Sequence, residues 1–175
     1  MQKNHARRIV LTMLFTALGV LFYRYSYWVG MDADAGFSPM HIPVIICGFL
    51  CGPLYGAVCG IAAPLLSSLI GAPHLLVAVT MAIELAAYAA VSGFLYPRLR
   101  SIRLGFFKPA VFMTLILAIP IGRITYGVAE AIIFNQSFAM RGFLISAFVN
   151  SIPGILLQFM AVPAVVLSVD SDRRR

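Results

Sequence analysis

Six apolar stretches, joined by connections too short to hold another domain, take up most of this chain and limit it to a membrane-embedded helical bundle. They run over about 9–23, 41–52, 54–70, 75–96, 109–134 and 143–169 of the 175 residues. A membrane-spanning helix needs about 20 apolar residues, so six of them use roughly 120. The stretch from Ile42 to Ile70 carries Gly52-Pro53 in its middle. Unbroken, it would be about 43 Å long as a helix, too long for a hydrocarbon core of about 30 Å. It therefore reads as two helices joined by a very tight turn, one of them shielded by protein. The composition agrees: 61% of residues are hydrophobic, 11% are charged and the mean hydropathy is +0.94. Soluble domains average about 45–50% apolar and about 25% charged. The expected fold is an all-α integral membrane protein, a single transmembrane domain over residues 1–175.

The net charge of +7 would suggest nucleic acid in a soluble protein, but its distribution points elsewhere. Six spans leave both termini on one side. That side holds Lys3, Arg7, Arg8, Arg98, Arg100, Arg103, Lys108 and Arg173 to Arg175, and the opposite side holds only Arg24 and Arg141. Basic residues accumulate on cytoplasmic loops, so both termini are expected in the cytoplasm and no nucleic acid is needed as a partner. A competing reading takes Ala33-Asp34-Ala35 as a signal-peptide cleavage site. The long gap from the apolar stretch, with Tyr25, Tyr27 and Trp28 forming an interfacial aromatic belt, argues against it. Cys47, Cys51 and Cys59 lie inside apolar runs. They read as small apolar helix residues, not as a disulfide framework or a metal site.

Ionisable residues within spans are costly and usually face a cavity or a partner. Glu84 lies about 14 Å from the outer end of its span by helical rise, Arg123 about 16 Å and Asn150 about 10 Å. Three polar groups from three spans thus share the outer half. Pro120 lies one turn before Arg123, and Pro153-Gly154 follow Asn150. Such breaks are tolerated where the backbone lines a cavity or is buried in protein. Glu130 and Tyr126 lie on roughly the face of Arg123. The group supports either a polar pocket open to the outside or an ion pair of Arg123 with Glu84 or Glu130 that only holds helices together. Gln158, deeper in, is expected to make an interhelical hydrogen bond. His41 and His74 begin the second and fourth spans and are read as pocket-rim residues. The loop between Arg24 and Pro39, with Trp28, Asp32, Asp34 and Phe37, is a candidate lid. The stripe Gly52, Gly56, Gly60, Pro64 and Ser68 is expected to pack helices closely within the chain.

Catalytic signatures are missing. The sequence has no phosphate-binding Gly-x-x-x-x-Gly-Lys loop, no His-Glu-x-x-His zinc motif and no Gly-x-Ser-x-Gly elbow. It also shows no internal repeat of the kind that builds inverted-repeat transporters. A polar pocket without an energy source suggests binding and translocation, and no catalysis, cofactor or metal.

Several runs resemble the S-components, the substrate-binding subunits, of energy-coupling factor (ECF) transporters. They are Ser38-Pro39-Met40-His41-Ile42-Pro43-Val44, Cys47-Gly48-Phe49-Leu50-Cys51-Gly52-Pro53 with Tyr55-Gly56, Ala63-Pro64-Leu65-Leu66-Ser67-Ser68, and Asn150-Ser151-Ile152-Pro153-Gly154-Ile155-Leu156-Leu157-Gln158. The resemblance implies a six-helix subunit in a prokaryotic plasma membrane that captures a vitamin on the outer side. Its partners would be a transmembrane coupling subunit and two cytoplasmic ATPases, and it would topple in the membrane to release its cargo. Family members often carry two alanines four apart on the first helix that contact the coupling subunit. The matching positions here are Met13 and Ala17, and Thr12 and Thr16 offer a small pair at the same spacing. Arg123 favours a ligand with a carboxylate, with Glu84, Asn150, Tyr126, Glu130, His41 and His74 around it. Pantothenate has this chemistry; pyridoxine-type vitamins and folates are alternatives. A structural or assembly membrane protein with a buried Arg–Glu pair and no ligand is the alternative in another class.

Overall fold

The computed structural model describes residues 2–30, 39–101, 109–134 and 152–172. Among these, every regular element is a helix: α1 (Gln2–Trp28), α2 (His41–Cys51), α3 (Pro53–Leu69), α4 (Leu75–Leu99), α5 (Ala110–Ile133) and α6 (Ile152–Asp172). The helices fall on the six apolar stretches but differ at several ends: α1 runs further both ways, α4 continues to Leu99, α6 continues to Asp172, and 143–151 lies outside the described residues. Three segments, His5–Trp28, Leu75–Leu99 and Ala110–Ile133, are long and apolar enough to cross a bilayer; the other apolar helices are shorter.

The interior is largely apolar, as in a soluble protein, but the outer surface is apolar too. That surface exposes Met13, Leu21, Leu69, Ile116, Ile124 and Ile132, while Thr80, Glu84, Ser92, Thr114 and Arg123 are buried. Lipid offers polar side chains no hydrogen bonds, so they turn inward.

Helix α2 explains how an 11-residue element fits this setting. Nine of its residues, from His41 to Cys51, are buried, because α1, α3, α4 and α6 surround it. It need not match the bilayer thickness. At its end Gly52 serves both helices: its N–H donates to the Gly48 carbonyl at 3.0 Å, and its carbonyl accepts from the Gly56 N–H at 2.9 Å. A φ of +97° at Gly52 makes this turn possible, and only glycine adopts that value without strain. Pro53 then opens α3 at a position where no backbone N–H is needed.

Glycine sets the spacing of α2, α3 and α4 for a different reason, lack of bulk. A Cβ on Gly48 would lie 2.4 Å from the Ala89 carbonyl oxygen, one on Gly56 2.7 Å from the Gly48 Cα, and one on Gly60 2.6 Å from the Ala86 nitrogen. On α4, a Cβ at Gly93 would fall 2.5 Å from the Pro53 nitrogen. The small-residue stripe is thus internal packing, as expected for Gly56 and Gly60. Gly52 has nothing within 4 Å of its Cβ position; it belongs to the turn and not to the stripe. These contacts also give the register. Helix α3 runs antiparallel to α4, with Gly56 beside Ala89 and Gly60 beside Leu85 and Ala86, and α2 runs alongside α4.

Substituting Gly93 by Val should therefore force α4 away from the Gly52–Pro53 turn and cost about 1–3 kcal/mol, the usual range for overpacking. Ile61→Ala, on the exposed face of α3, serves as a control with a much smaller effect. Thermal unfolding in detergent measures both; equal midpoints would show that the close approach is not needed.

Candidate functional site

Where α2 begins, three helices bring charged groups together. Arg123 of α5 places Nη1 3.1 Å from Glu84 Oε1 of α4, and His41 Nε2 of α2 lies 3.7 Å from Glu84 Oε2. All three are deeply buried, with Glu84 2%, His41 4% and Arg123 8% exposed. The glycine contacts make this possible: with α2 pressed onto α4, the first residue of α2 reaches the level of Glu84, nine residues into α4. His41 is therefore not a rim residue, as the sequence suggested, but a member of the buried cluster.

Tyr88 completes the group. It lies one turn beyond Glu84 on the same face of α4, is fully buried, and meets the His41 ring edge-on at 5.5 Å between centroids. Its ring lies against Gly122, where an added Cβ would come 2.8 Å from three ring atoms. Gly122 directly precedes Arg123, so the same stretch of α5 admits the Tyr88 ring and delivers the guanidinium.

The ion pair leaves hydrogen-bonding capacity unused. Among the described residues, Arg123 Nε, Glu84 Oε1 and Tyr88 Oη are buried without a hydrogen-bond partner. The guanidinium approaches Glu84 through Nη1, outside hydrogen-bond alignment, and its Nε has no hydrogen-bond partner among the described residues. An unmet buried donor or acceptor costs about 1–3 kcal/mol. The site is charge-balanced but not saturated, and suits a ligand that carries its own acceptors and donors.

The other candidates lie elsewhere. His74 is exposed and caps the start of α4. Glu130 and Tyr126 are half-buried on α5, and Tyr126 packs against the core. No ion pair joins Arg123 to Glu130 among the described residues, so of the two pairings considered Glu84 is the partner formed. Asn150 lies outside the described residues, as do Asp32, Asp34 and Phe37 of the candidate lid. Gln158 is buried on α6, but its Oε1 has no hydrogen-bond partner among the described residues, so the expected interhelical bond through that oxygen is not formed. Cys47, Cys51 and Cys59 are free and buried. Among the described residues no group of three or more His, Cys, Asp and Glu side chains is placed to hold a metal ion.

On α1, Thr12 and Thr16 point into the bundle. Thr12 donates to the Arg8 carbonyl at 2.7 Å, and Thr16 to the Thr12 carbonyl at 2.8 Å, with Cys59 Sγ 3.4 Å away. Cys47 Sγ lies 3.8 Å from Thr12 Oγ1. This pair is committed to internal contacts. Met13 and Ala17 lie on the exposed face of the same helix.

Removing one partner of a buried pair strands the other charge. Glu84→Gln should destabilise the protein by about 3–5 kcal/mol, whereas Glu84→Met combined with Arg123→Met should regain most of the loss. Thermal unfolding of the single and double variants in detergent checks this, and additive losses would rule out the pairing.

Comparison with known proteins matches the chain to the family described as ECF transporter, substrate-specific component, over residues 7–166. Among curated proteins and among solved structures no match is found. The family match spans most of the chain, from the first turns of α1 into the last turns of α6, and agrees with the apolar, all-helical build of the described residues. The chain belongs to the substrate-specific components of ECF transporters, a multi-pass membrane subunit that serves transport and is not an enzyme.

Proposed function

We propose that this subunit captures a small water-soluble vitamin or vitamin precursor bearing a carboxylate, pantothenate being the best candidate, from the outer face of a prokaryotic plasma membrane. The observation that carries the reading is the buried Arg123 guanidinium, paired with Glu84 through Nη1 while its Nε has no hydrogen-bond partner among the described residues. A guanidinium presents parallel donors to a carboxylate, so a ligand anion can bind that edge while Glu84 stays in place. Glu84 Oε1 and the Tyr88 hydroxyl then meet hydroxyl or amide groups of the same ligand, and pantothenate carries both. His41 fixes the Glu84 carboxylate from the other side. Asn150, Tyr126, Glu130 and His74 are proposed as further lining. Energy comes from a transmembrane coupling subunit and two ATPases, since the chain has no nucleotide-binding loop. The exposed Met13–Ala17 face of α1 is the proposed contact with the coupling subunit, because Thr12 and Thr16 are turned inward.

The proposed topology is six spans with both termini cytoplasmic. Arg8, Gly52, Arg100 and Val169 line one cavity, which is consistent with the start of α1, the α2–α3 turn and the ends of α4 and α6 lying at one end of the bundle. The abundance of basic residues at that end makes it the cytoplasmic one. Single cysteines introduced near Asp32 should react with an impermeant thiol reagent added outside, and cysteines near Arg100 should not. The opposite pattern would invert the topology.

The ligand is tested by titration calorimetry of purified protein against a panel of vitamins that includes pantothenate, pyridoxine and folate. Arg123→Ala should weaken binding of the carboxylate-bearing ligand by roughly 2–5 kcal/mol, and Arg123→Lys, which keeps charge without the planar fork, by less. Wild-type affinity in folded Arg123→Ala would make the arginine structural. Failure of every vitamin to bind would favour the structural or assembly role.

A further inference from the structure

Helix α6 holds a buried polar group that the ion pair does not explain. Gly154, Gln158, Val162 and Val166 recur at every fourth position and are buried, whereas Leu156, Met160 and Val165 are exposed. This stripe is turned toward α2 and α5, on which α6 packs. Gln158 is only 3% exposed, and its Oε1 has no hydrogen-bond partner among the described residues. Its depth follows from the far end of the bundle. Val166 lines one cavity together with Phe49 of α2 and Tyr96 of α4, and Val169 lines it beside Gly52, three residues past Phe49. Helix α6 therefore runs in the direction of α2 and α4. Gln158 lies eight residues before Val166, His41 eight before Phe49 and Tyr88 eight before Tyr96. Ring contacts mark both levels for α2 and α4: Phe49 meets Tyr96 at 5.0 Å between centroids, and His41 meets Tyr88 at 5.5 Å. The same step along α6, about 12 Å by helical rise, brings Gln158 to the level of His41 and Tyr88.

We propose that Gln158 is a specificity-determining residue of the candidate site: its carboxamide oxygen accepts a hydrogen bond from a hydroxyl of the ligand while Arg123 holds the carboxylate. The proposal rests on the reading of the Glu84 cluster as a ligand site, and adds what the uncharged end of the ligand carries. Burying an amide oxygen without a donor is unfavourable, and an apolar side chain of the same length would avoid that cost on a stripe shared with Val162 and Val166. Glutamine suits the position when the ligand supplies the donor. The groups left unmet in the empty protein sort by role. Arg123 Nε is a donor and takes an acceptor, whereas Glu84 Oε1 on α4 and Gln158 Oε1 on α6 are acceptors and take donors. A carboxylic acid with an apolar tail satisfies the arginine and leaves both oxygens unmet. A hydroxylated carboxylate satisfies both kinds of group. A site built to bind a hydroxyl rejects the analogue that lacks it, because its own buried acceptor is then stranded.

The test is titration calorimetry of the full chain in detergent with two probes, pantothenate and N-(3,3-dimethylbutanoyl)-β-alanine, which is pantothenate without its hydroxyls. Gln158→Met keeps length and removes the acceptor. It should bind pantothenate roughly ten-fold more weakly than the wild type does and the analogue equally well, so that the preference for the hydroxylated probe is lost. Met160→Leu, on the exposed face of α6, should keep that preference. Thermal unfolding without ligand gives a second readout. Gln158→Met should unfold at the wild-type temperature or above it, since no bond of the empty protein is removed. A glutamine that only joins helices would give the reverse, a lowered midpoint with the preference intact, and either half of that result would overturn the proposal. Wild-type preference in Gln158→Met alongside lost pantothenate binding in Arg123→Ala would leave the ligand reading standing and remove Gln158 from it. If neither probe binds the wild type, pantothenate falls as the cargo and Gln158→Cys decides the placement. A small methanethiosulfonate should then modify this variant above the level of the wild type, whose three cysteines are buried; no excess reaction would overturn the proposal too.

Discussion

Close backbone contact between α4 and the α2–α3 hairpin is the constraint on which the rest of this structure depends. Between apolar helices in lipid the hydrophobic effect supplies little attraction, and association relies on packing and interhelical polar contacts. Glycines at 48, 56, 60 and 93 let backbone meet backbone, and this has two consequences. The short α2 is enclosed by protein, so an element only 11 residues long is stable inside a membrane subunit. Its first residue, His41, is also carried to the depth of Glu84 and Arg123. The polar cluster is a product of helix packing, and its members need no loop to position them.

A buried ion pair is weak grounds for stability, because desolvating two charges offsets much of their attraction. The Glu84–Arg123 pair makes better sense as a device for holding charge ready. Each partner lowers the cost of keeping the other in a dry interior, while Arg123 Nε, Glu84 Oε1 and Tyr88 Oη are left with hydrogen-bonding capacity. A purely structural pair would be expected to saturate those groups, since an incompletely satisfied buried network is worse than an apolar core. Gly122 points the same way: a larger residue there would exclude the Tyr88 ring, and with it the hydroxyl beside the cluster.

Much of this was legible in the sequence, and what was not has physical reasons. Apolar run length placed the helices, because a bilayer demands it, and Gly52-Pro53 placed the turn. The cost of intramembrane charge singled out Glu84 and Arg123. Counting along the helices put Glu84 and Arg123 at one level, and their 3.1 Å contact agrees. It misjudged His41, because it assumed that a helix start lies at the rim, and α2 starts deep. Tyr88 was missed although it lies four residues from Glu84; tyrosine in an apolar run looks like core until its hydroxyl is found buried. For Thr12 and Thr16, spacing alone did not give the direction of the helix face, which is set by the sulfurs of Cys47 and Cys59 packing from α2 and α3.

The same packing bears on how a cargo can leave. On α4, Glu84, Tyr88, Ser92 and Tyr96 recur at one-turn spacing, and all are buried. They form a polar row from the candidate site toward the cavity at the other end. A row of polar groups is not a passage, however. Between the level of Glu84 and that of Tyr96, the approach of α2 and α3 to α4 is closed by backbone contacts at Gly48, Gly56, Gly60 and Gly93, and Gly122 is filled by the Tyr88 ring. Opening a route along that interface would require separating the helices whose contact assembles the site. A ligand held at the Glu84 cluster, as proposed, would have to part α2 and α3 from α4, and so take the cluster apart, to travel down that interface. On the proposed function, reorientation of the intact body by the coupling partners would avoid that conflict, because it leaves the backbone contacts at Gly48, Gly56, Gly60 and Gly93 in place.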